Sequence, residues 1–487
     1  MSLNKNKYDI VRPDAESFLQ SARSYGYSID TAIADIIDNS ITASATEIII
    51  TFGVDQYSSF VRIEDNGVGM NEAQLKNAMK IGSFNPLDNR GENDLGRFGL
   101  GLKTASFSQC RRLTVKTKNK KDIDYTRCWD LDLVAKEKDW VLLRECADKN
   151  SEKNLAGISN KVSGTIILWE KLDRLDESVE LKSKKEHFYR KFDNVKKHLG
   201  LTFHRFIEDG EIAIIINNDL VEAVNPFHVS KEVPSTELPE EHLSINGQGI
   251  MIQPFILPHE SKISIDERKD LEIIKGWTDH QGIYLYRNKR LISDGTWLDL
   301  SFRKKESQRL CRIRIDIPNT LDKEWQIDVK KASAKIPDVV RKRIKDICFN
   351  SLEKAIKVYS HRGAYVRRKG DKKEIVYLWL TKQKHGVKTY YINEKHPLFE
   401  LIEEQLSDEL NVFKDYMKLL AEAIPVNLIV NDFSDPSTII ETPMQNKIKE
   451  LTKIYEASLN VLVNSGLSET VAKKQLNLMD VFQQLNK

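Results

Sequence analysis

Asp35, Asp38, Asn39 and Thr42 lie within one short stretch, AIADIIDNSITASA, at residues 32–45. Isoleucines at 33, 36, 37 and 41 give that stretch the spacing of a half-buried helix, with Asp30 as the expected N-cap. At roughly 100° per residue the four polar side chains share an arc of about 100° on the opposite side. A solvated face is one reading. Short acids and amides are indifferent helix formers, however, and an outer face favours Lys, Glu, Gln and Arg. The composition therefore points to a wall that faces a ligand.

Two further segments have residue types suited to a nucleotide. In DNGVGM, residues 65–70, Asp65 ends the strand-like run FVRIED, and Gly67 and Gly69 follow. Glycines there permit a sharp turn and a flat ligand close to the main chain, while the carboxylate can accept from an exocyclic amine. In GRFGLGLKT, Gly96, Gly99 and Gly101 precede Leu102, Lys103 and Thr104 at the head of an expected helix. Backbone N–H groups at such a helix start favour phosphate, and Lys103 adds a point charge. The segment is not a P-loop, because Leu102 intervenes before the lysine and no strand leads into it.

These segments need a scaffold. EIIITF (47–52) and FVRIED (60–65) read as strands, NEAQLKNAMKIG as a helix, and LTVKTK, YTRCWDLD, WVLLREC and GTIILWEKL as later strands. The result is an α/β class, a layered helix-and-sheet domain. At 487 residues the chain exceeds one ordinary core, so several domains are expected. A net charge of +3 means that any nucleic-acid partner must be sought in local patches. The five scattered cysteines lack metal-ligand spacing, no signal-like or membrane-length apolar run occurs, and a cytoplasmic location is expected.

Taken in order, these segments resemble the Bergerat-fold ATPases, the GHKL superfamily of gyrase B, the ninety-kilodalton heat-shock chaperones, histidine kinases and MutL. The helix with Asp35 and Asn39 resembles the family's N box, DNGVGM its adenine box, GRFGLGLK the glycine-rich end of its ATP lid, and Gly164-Thr165 its fourth box. The resemblance implies ATP and Mg²⁺ as cofactors, with Asn39 on the metal and Asp65 on the adenine amine. Gly67, Gly69 and Met70 would line the base. Gly96, Gly99, Gly101, Leu102 and Lys103 would close over the phosphates, and Thr165 would support the adenine site. The family's usual Glu base is replaced here by Asp35, a shorter side chain that implies slow turnover. Asp38 is expected in a structural or water-mediated role.

Beyond the first domain, FIEDGEIAIIINNDLVEAVNPF (206–227) and GIYLYRNKRLISDGTW (282–297) read as strands of a second domain. Their arrangement resembles the transducer of MutL and, with YRNKRLI, of MORC proteins. That resemblance implies that Lys330 or Lys331, in EWQIDVKKASAKIP, reaches the γ-phosphate. The expected organisation is a Bergerat two-layer α/β sandwich over 1–205 and a transducer-like α/β domain over 206–345. A C-terminal module over 346–487, first β-containing and then mostly helical, would follow.

The function so implied is a nucleotide-gated dimeric clamp, with DNA and defence-system proteins such as a nuclease as possible partners and no membrane. Basic clusters at 181–198, 302–314 and 365–373 are the candidate DNA surfaces. The alternatives are a nucleotide-binding scaffold with weak hydrolysis and a kinase of the histidine-kinase branch. Against the latter, no phospho-acceptor helix precedes the ATPase segments and some 300 residues follow them.

Overall fold

The computed structural model describes residues 13–82, 101–360 and 379–487, except 25, 55–58, 122, 175–180, 230–231, 260–261, 265–266, 268–270, 272–275, 329–330, 332, 385–386, 397–398, most of 401–447, 465–466 and several after 477. Two compact units result, residues 1–361 and 362–487.

The first unit begins with helices α1 (Ala15–Arg23) and α2 (Ile29–Thr42), then strands β1 (Glu47–Gly53) and β2 (Phe60–Asp65). Ser28, not Asp30, occupies the N-cap of α2, and Asp30 instead supplies negative charge to the first turn. Helix α3 (Glu72–Met79) starts at a capping box between Asn71 and Gln74. After it come α4 (Gly101–Gln109), β3 (Arg112–Lys118), β4 (Tyr125–Asp130), the short helices α5 (Leu131–Glu137) and α6 (Lys149–Asn154), and β5 (Gly164–Glu170). WVLLREC, expected as a strand, contributes only a single bridge between Leu143 and Cys128.

Helices α7 (Leu181–Thr202) and α8 (His204–Glu208) lead to strands β6 (Ala213–Ile216) and β7 (Asp219–Leu220). These two strands correct the expected boundary at 206. β6 pairs in parallel with β1, and the first sheet runs β4-β3-β5-β2-β1-β6-β7. Helices pack on one face around Ile33, Ile36, Ile37, Phe107, Val115 and Trp169. Along β5 the side chains bury on both faces, Ile167 and Trp169 into that core, Ile166 and Leu168 against Leu155 and Ile158. The architecture is a two-layer α/β sandwich.

A second sheet comprises β8 (Thr236–Glu237), β9 (Glu241–Ile245), β10 (Gln248–Ile256), β11 (Gly282–Arg287), β12 (Arg290–Thr296) and β13 (Cys311–Ile317). Its order is β12-β11-β13-β10-β8, with β9 also on β10. The long helix Asp338–Ser360 packs Val340, Ile344, Ile347 and Leu352 into this sheet's core. The unit thus extends past the expected limit at 345.

The end of α7 meets the second sheet in an apolar cluster of Leu201, Phe227, Phe255, Tyr284, Tyr286 and Leu291. There His204 Nε2 lies 2.8 Å from the Tyr286 hydroxyl. In the second unit, β14 (Trp379–Lys384) and β15 (Val387–Ile392) form a hairpin, and helices Ile448–Asn464 and Glu469–Leu476 pack around Leu451, Leu462, Leu476 and Phe482. Among the described residues no helix is long and apolar enough to cross a membrane.

Two of the expected DNA surfaces take different forms. Helix α7 buries Phe188, Phe192, Val195 and Leu199 and leaves Lys185, Arg190 and Lys197 outside. In the 302–314 cluster, by contrast, Arg312 is wholly buried and donates to the Pro226 and Leu271 carbonyls, Arg309 pairs with Glu306, and Arg314 with Asp316. Those three arginines serve the fold. The 365–373 cluster lies outside the described residues.

Candidate nucleotide site

Asp65 ends β2 directly opposite Thr165 of β5 and Ile48 of β1, at the rim of the central strands. Its carboxylate is only 6% exposed. Oδ1 accepts from the Gly67 backbone N–H at 2.9 Å and Oδ2 from the Ser40 hydroxyl at 3.0 Å, while the nearby Thr165 backbone N–H also favours the charged form. Burial pushes the carboxyl above its usual range, and these three donors oppose the shift. A carboxylate held this rigidly is a preorganised acceptor for an amine-bearing ligand.

Ser40 was not among the expected site residues. It falls three and four positions after Ile37 and Ile36, a polar group on the apolar face of α2, and that misfit is the signal that identifies it. Thr117 is similar. It lies on the same face of β3 as Leu113 and Val115, yet its hydroxyl accepts from the Met70 N–H, donates to Gly164 O and approaches Thr165 Oγ1, each at 3.0 Å. It ties the 65–70 loop to β5.

The glycines of that loop have reasons of their own. A Cβ at Gly67 would lie 2.8 Å from the Ala43 carbonyl oxygen. Gly69 has φ +67° and its Cβ would lie 1.9 Å from the Lys118 carbonyl oxygen, a backbone atom that cannot step aside. Both therefore let the loop seat against protein backbone, whatever ligand is present. Gly69→Ala will destabilise the unit by about 2 kcal/mol or more, from left-handed strain plus the clash. Gly82→Ala, with φ +68° and open space around it, isolates the strain alone. Equal shifts of the two urea midpoints would contradict the clash.

Asp35 and Asp38 do not line an open wall. Both are buried, 2% and 1% exposed, beneath two cations from the second sheet's side of the unit. Arg290 Nε donates to both oxygens of Asp38 at 3.1 Å, and Lys331 Nζ lies 2.5 Å from Asp38 Oδ2 and 3.3 Å from Asp35 Oδ1. Burial would raise both carboxyls. For Asp38 the two cations outweigh it and hold the carboxyl below its usual range. For Asp35 burial prevails, the pull of Lys331 being countered in part by Asp38, and the carboxyl is raised. The Tyr27 hydroxyl donates to Asp35 Oδ2 at 3.0 Å, and that oxygen lies 3.7 Å from where a Cβ on Gly101 would sit, so Asp35 looks onto the start of α4.

Asn39 is exposed, and its amide nitrogen donates to the Asp35 carbonyl at 3.1 Å, so its oxygen is the atom available to a cation. Among the described residues no group of three or more His, Cys, Asp or Glu could hold a metal unaided. A single amide oxygen completed by phosphates and waters suits Mg²⁺, which keeps much of its own shell. Lys103, 3% exposed, donates to the Ala78 carbonyl at 2.9 Å, and burial lowers its amine to about 8. Met70 and Leu102 pack at the edge of the main core. Gly96, Gly99 and Lys330 lie outside the described residues.

The strands and helices thus bring the 35–39, 65–70, 101–103 and 164–165 segments to one end of the first sandwich. No curated protein matches the chain. Residues 27–165 match the family model described as "Histidine kinase-, DNA gyrase B-, and HSP90-like ATPase", a GHKL-type ATPase domain, and the match supports ATP binding by this segment.

Proposed function

We propose that the chain is a cytoplasmic GHKL ATPase acting as a nucleotide-gated dimeric clamp of MORC-like type, in DNA transactions or antiphage defence. The observation that carries the nucleotide reading is the buried carboxylate of Asp65, held by Ser40 and Gly67 at the strand end, within the segment that matches the ATPase family. Asp65 accepts the adenine amine, while Thr165 and Thr117 keep the loop against β5. The N-terminus of α4, at Gly101 and Leu102, receives phosphate, with Gly96 and Gly99 closing from the lid. Mg²⁺, held through Asn39, would screen the phosphate charge. Asp35 activates water, and Lys331, with Lys330 as the alternative, reaches the γ-phosphate from the second sheet's side.

A second reading, a nucleotide-binding scaffold with weak hydrolysis, is favoured by one observation: the Asp35 carboxylate is already engaged by Tyr27 and Lys331. DNA would meet exposed basic residues of α7 and the 365–373 cluster, and a nuclease or other defence protein would meet the C-terminal unit. The clamp reading predicts a nucleotide-dependent homodimer. Light scattering of the full chain with Mg²⁺ and a non-hydrolysable ATP analogue should show mass doubling. A monomer in every nucleotide state would contradict it.

A further inference from the structure

Arg290 opens β12 within YRNKRLI, and the nucleotide reading gives it no task. Its side chain is buried and crosses to α2. Besides the two bonds from Nε to Asp38, Nη1 donates to Leu291 O at 2.9 Å and to Lys331 O at 3.3 Å, and Nη2 lies 3.7 Å from Asp35 Oδ1. One guanidinium therefore grips the acid pair and the backbone of the loop that bears Lys331. The two cations are not equivalent. A planar fork with several fixed acceptors holds one geometry, whereas a single ammonium can exchange partners. Two acids and two cations meet in this buried cluster, and losing either cation leaves surplus negative charge in the interior around Asp35 and Asp38.

We propose that Arg290 is a positioning residue acting between the two sheets: through Asp38 it sets Asp35 at the start of α4 and leaves Lys331 as the exchangeable cation. The inference rests on the ATPase reading above. Without Arg290, Lys331 alone must neutralise both acids and cannot leave them for an incoming anion. Among the described residues no hydrogen bond or ion pair joins Asp65, Ser40 or Thr165 to this cluster, so the adenine side of the site will be spared and affinity will fall far less than turnover.

The test uses the full chain with Arg290→Gln, Arg290→Lys, Asp38→Asn and the double variant Arg290→Gln/Asp38→Asn. Arg290→Gln is expected to lower kcat by about 30-fold or more, the order expected for misplacing a reacting group by about 1 Å, with affinity for a non-hydrolysable analogue within about threefold. Arg290→Lys will recover the urea midpoint and yet keep less than about a tenth of kcat, since an ammonium cannot span Asp38 and the Lys331 carbonyl. The double variant will lose less stability than the two single losses combined, because the surplus charge goes.

A folded Arg290→Gln chain with the parent's kcat, or one whose affinity falls as far as its kcat, would overturn the proposal. So would full rescue of kcat by Arg290→Lys, which also decides the matter if Arg290→Gln does not fold. A parent chain that binds no nucleotide would instead overturn the ATPase reading. The urea midpoints would then still judge the Arg290–Asp38 coupling, and additive losses would overturn it.

Discussion

Asp35→Asn will leave nucleotide bound and slow hydrolysis by about 10²–10⁴-fold, the usual loss on removing a general base. The amide is nearly isosteric. Its oxygen can still accept from Lys331, which engages Oδ1 at 3.3 Å, while its NH2 group donates to the Tyr27 hydroxyl that now meets Oδ2 at 3.0 Å, so the pocket keeps its shape and loses the carboxylate's charge and basicity. Asp35→Glu extends the carboxyl by about 1.5 Å, one carbon–carbon bond, towards the start of α4. Its turnover is expected to rise if reach limits the parent. Phosphate release at saturating ATP measures both variants. An Asp35→Asn chain that hydrolyses ATP at the parental rate places the base elsewhere, with Asp38 the nearest carboxylate.

Helix α2 was legible because its information is local. Isoleucines at helical spacing bury, and the short polar residues opposite them are indeed excluded from solvent at 35 and 38. What covers them was not legible. Arg290 and Lys331 lie 252 and 293 residues from Asp38 in sequence, and no spacing rule connects positions so far apart. The composition of the stripe points to a ligand, yet two of its four members face cations of the protein itself, while Asn39 and Thr42 stay exposed. Asp38 stands at the centre of those ion pairs.

Strand β6 failed for a related reason. AIII at 213–216 looks the same whether it extends the first sheet or starts a second, and only its parallel pairing with β1 decides. Parallel partners are joined by long crossovers, so their adjacency leaves no local trace. Arg309, Arg312 and Arg314 show the converse error, while Arg303, Lys304 and Lys305 of the same run stay exposed. A run of positive residues reads as surface, but Arg312 satisfies backbone carbonyls in the interior, and composition cannot separate a solvated cation from a buried one. Ser40 and Thr117 were visible in principle, as hydroxyls at positions whose periodicity asked for apolar side chains.

Asp65 carries the central claim. Asp65→Ala removes the charged acceptor for the adenine amine and leaves the donors of Ser40 and Gly67 without their shared partner. A charge-assisted hydrogen bond in a buried site is worth about 1.5–3 kcal/mol, and about 1.4 kcal/mol is tenfold in affinity. The loss is therefore expected to be about ten- to a hundredfold or more, and Asp65→Asn, which replaces an acceptor by an amide, should lose a comparable amount. Calorimetric titration of the full chain and of Asp65→Ala with Mg²⁺ and a non-hydrolysable ATP analogue measures it directly. Saturable binding by the parent that weakens at least about tenfold in the folded variant is the predicted result; a folded variant that keeps the parent's affinity would contradict the site.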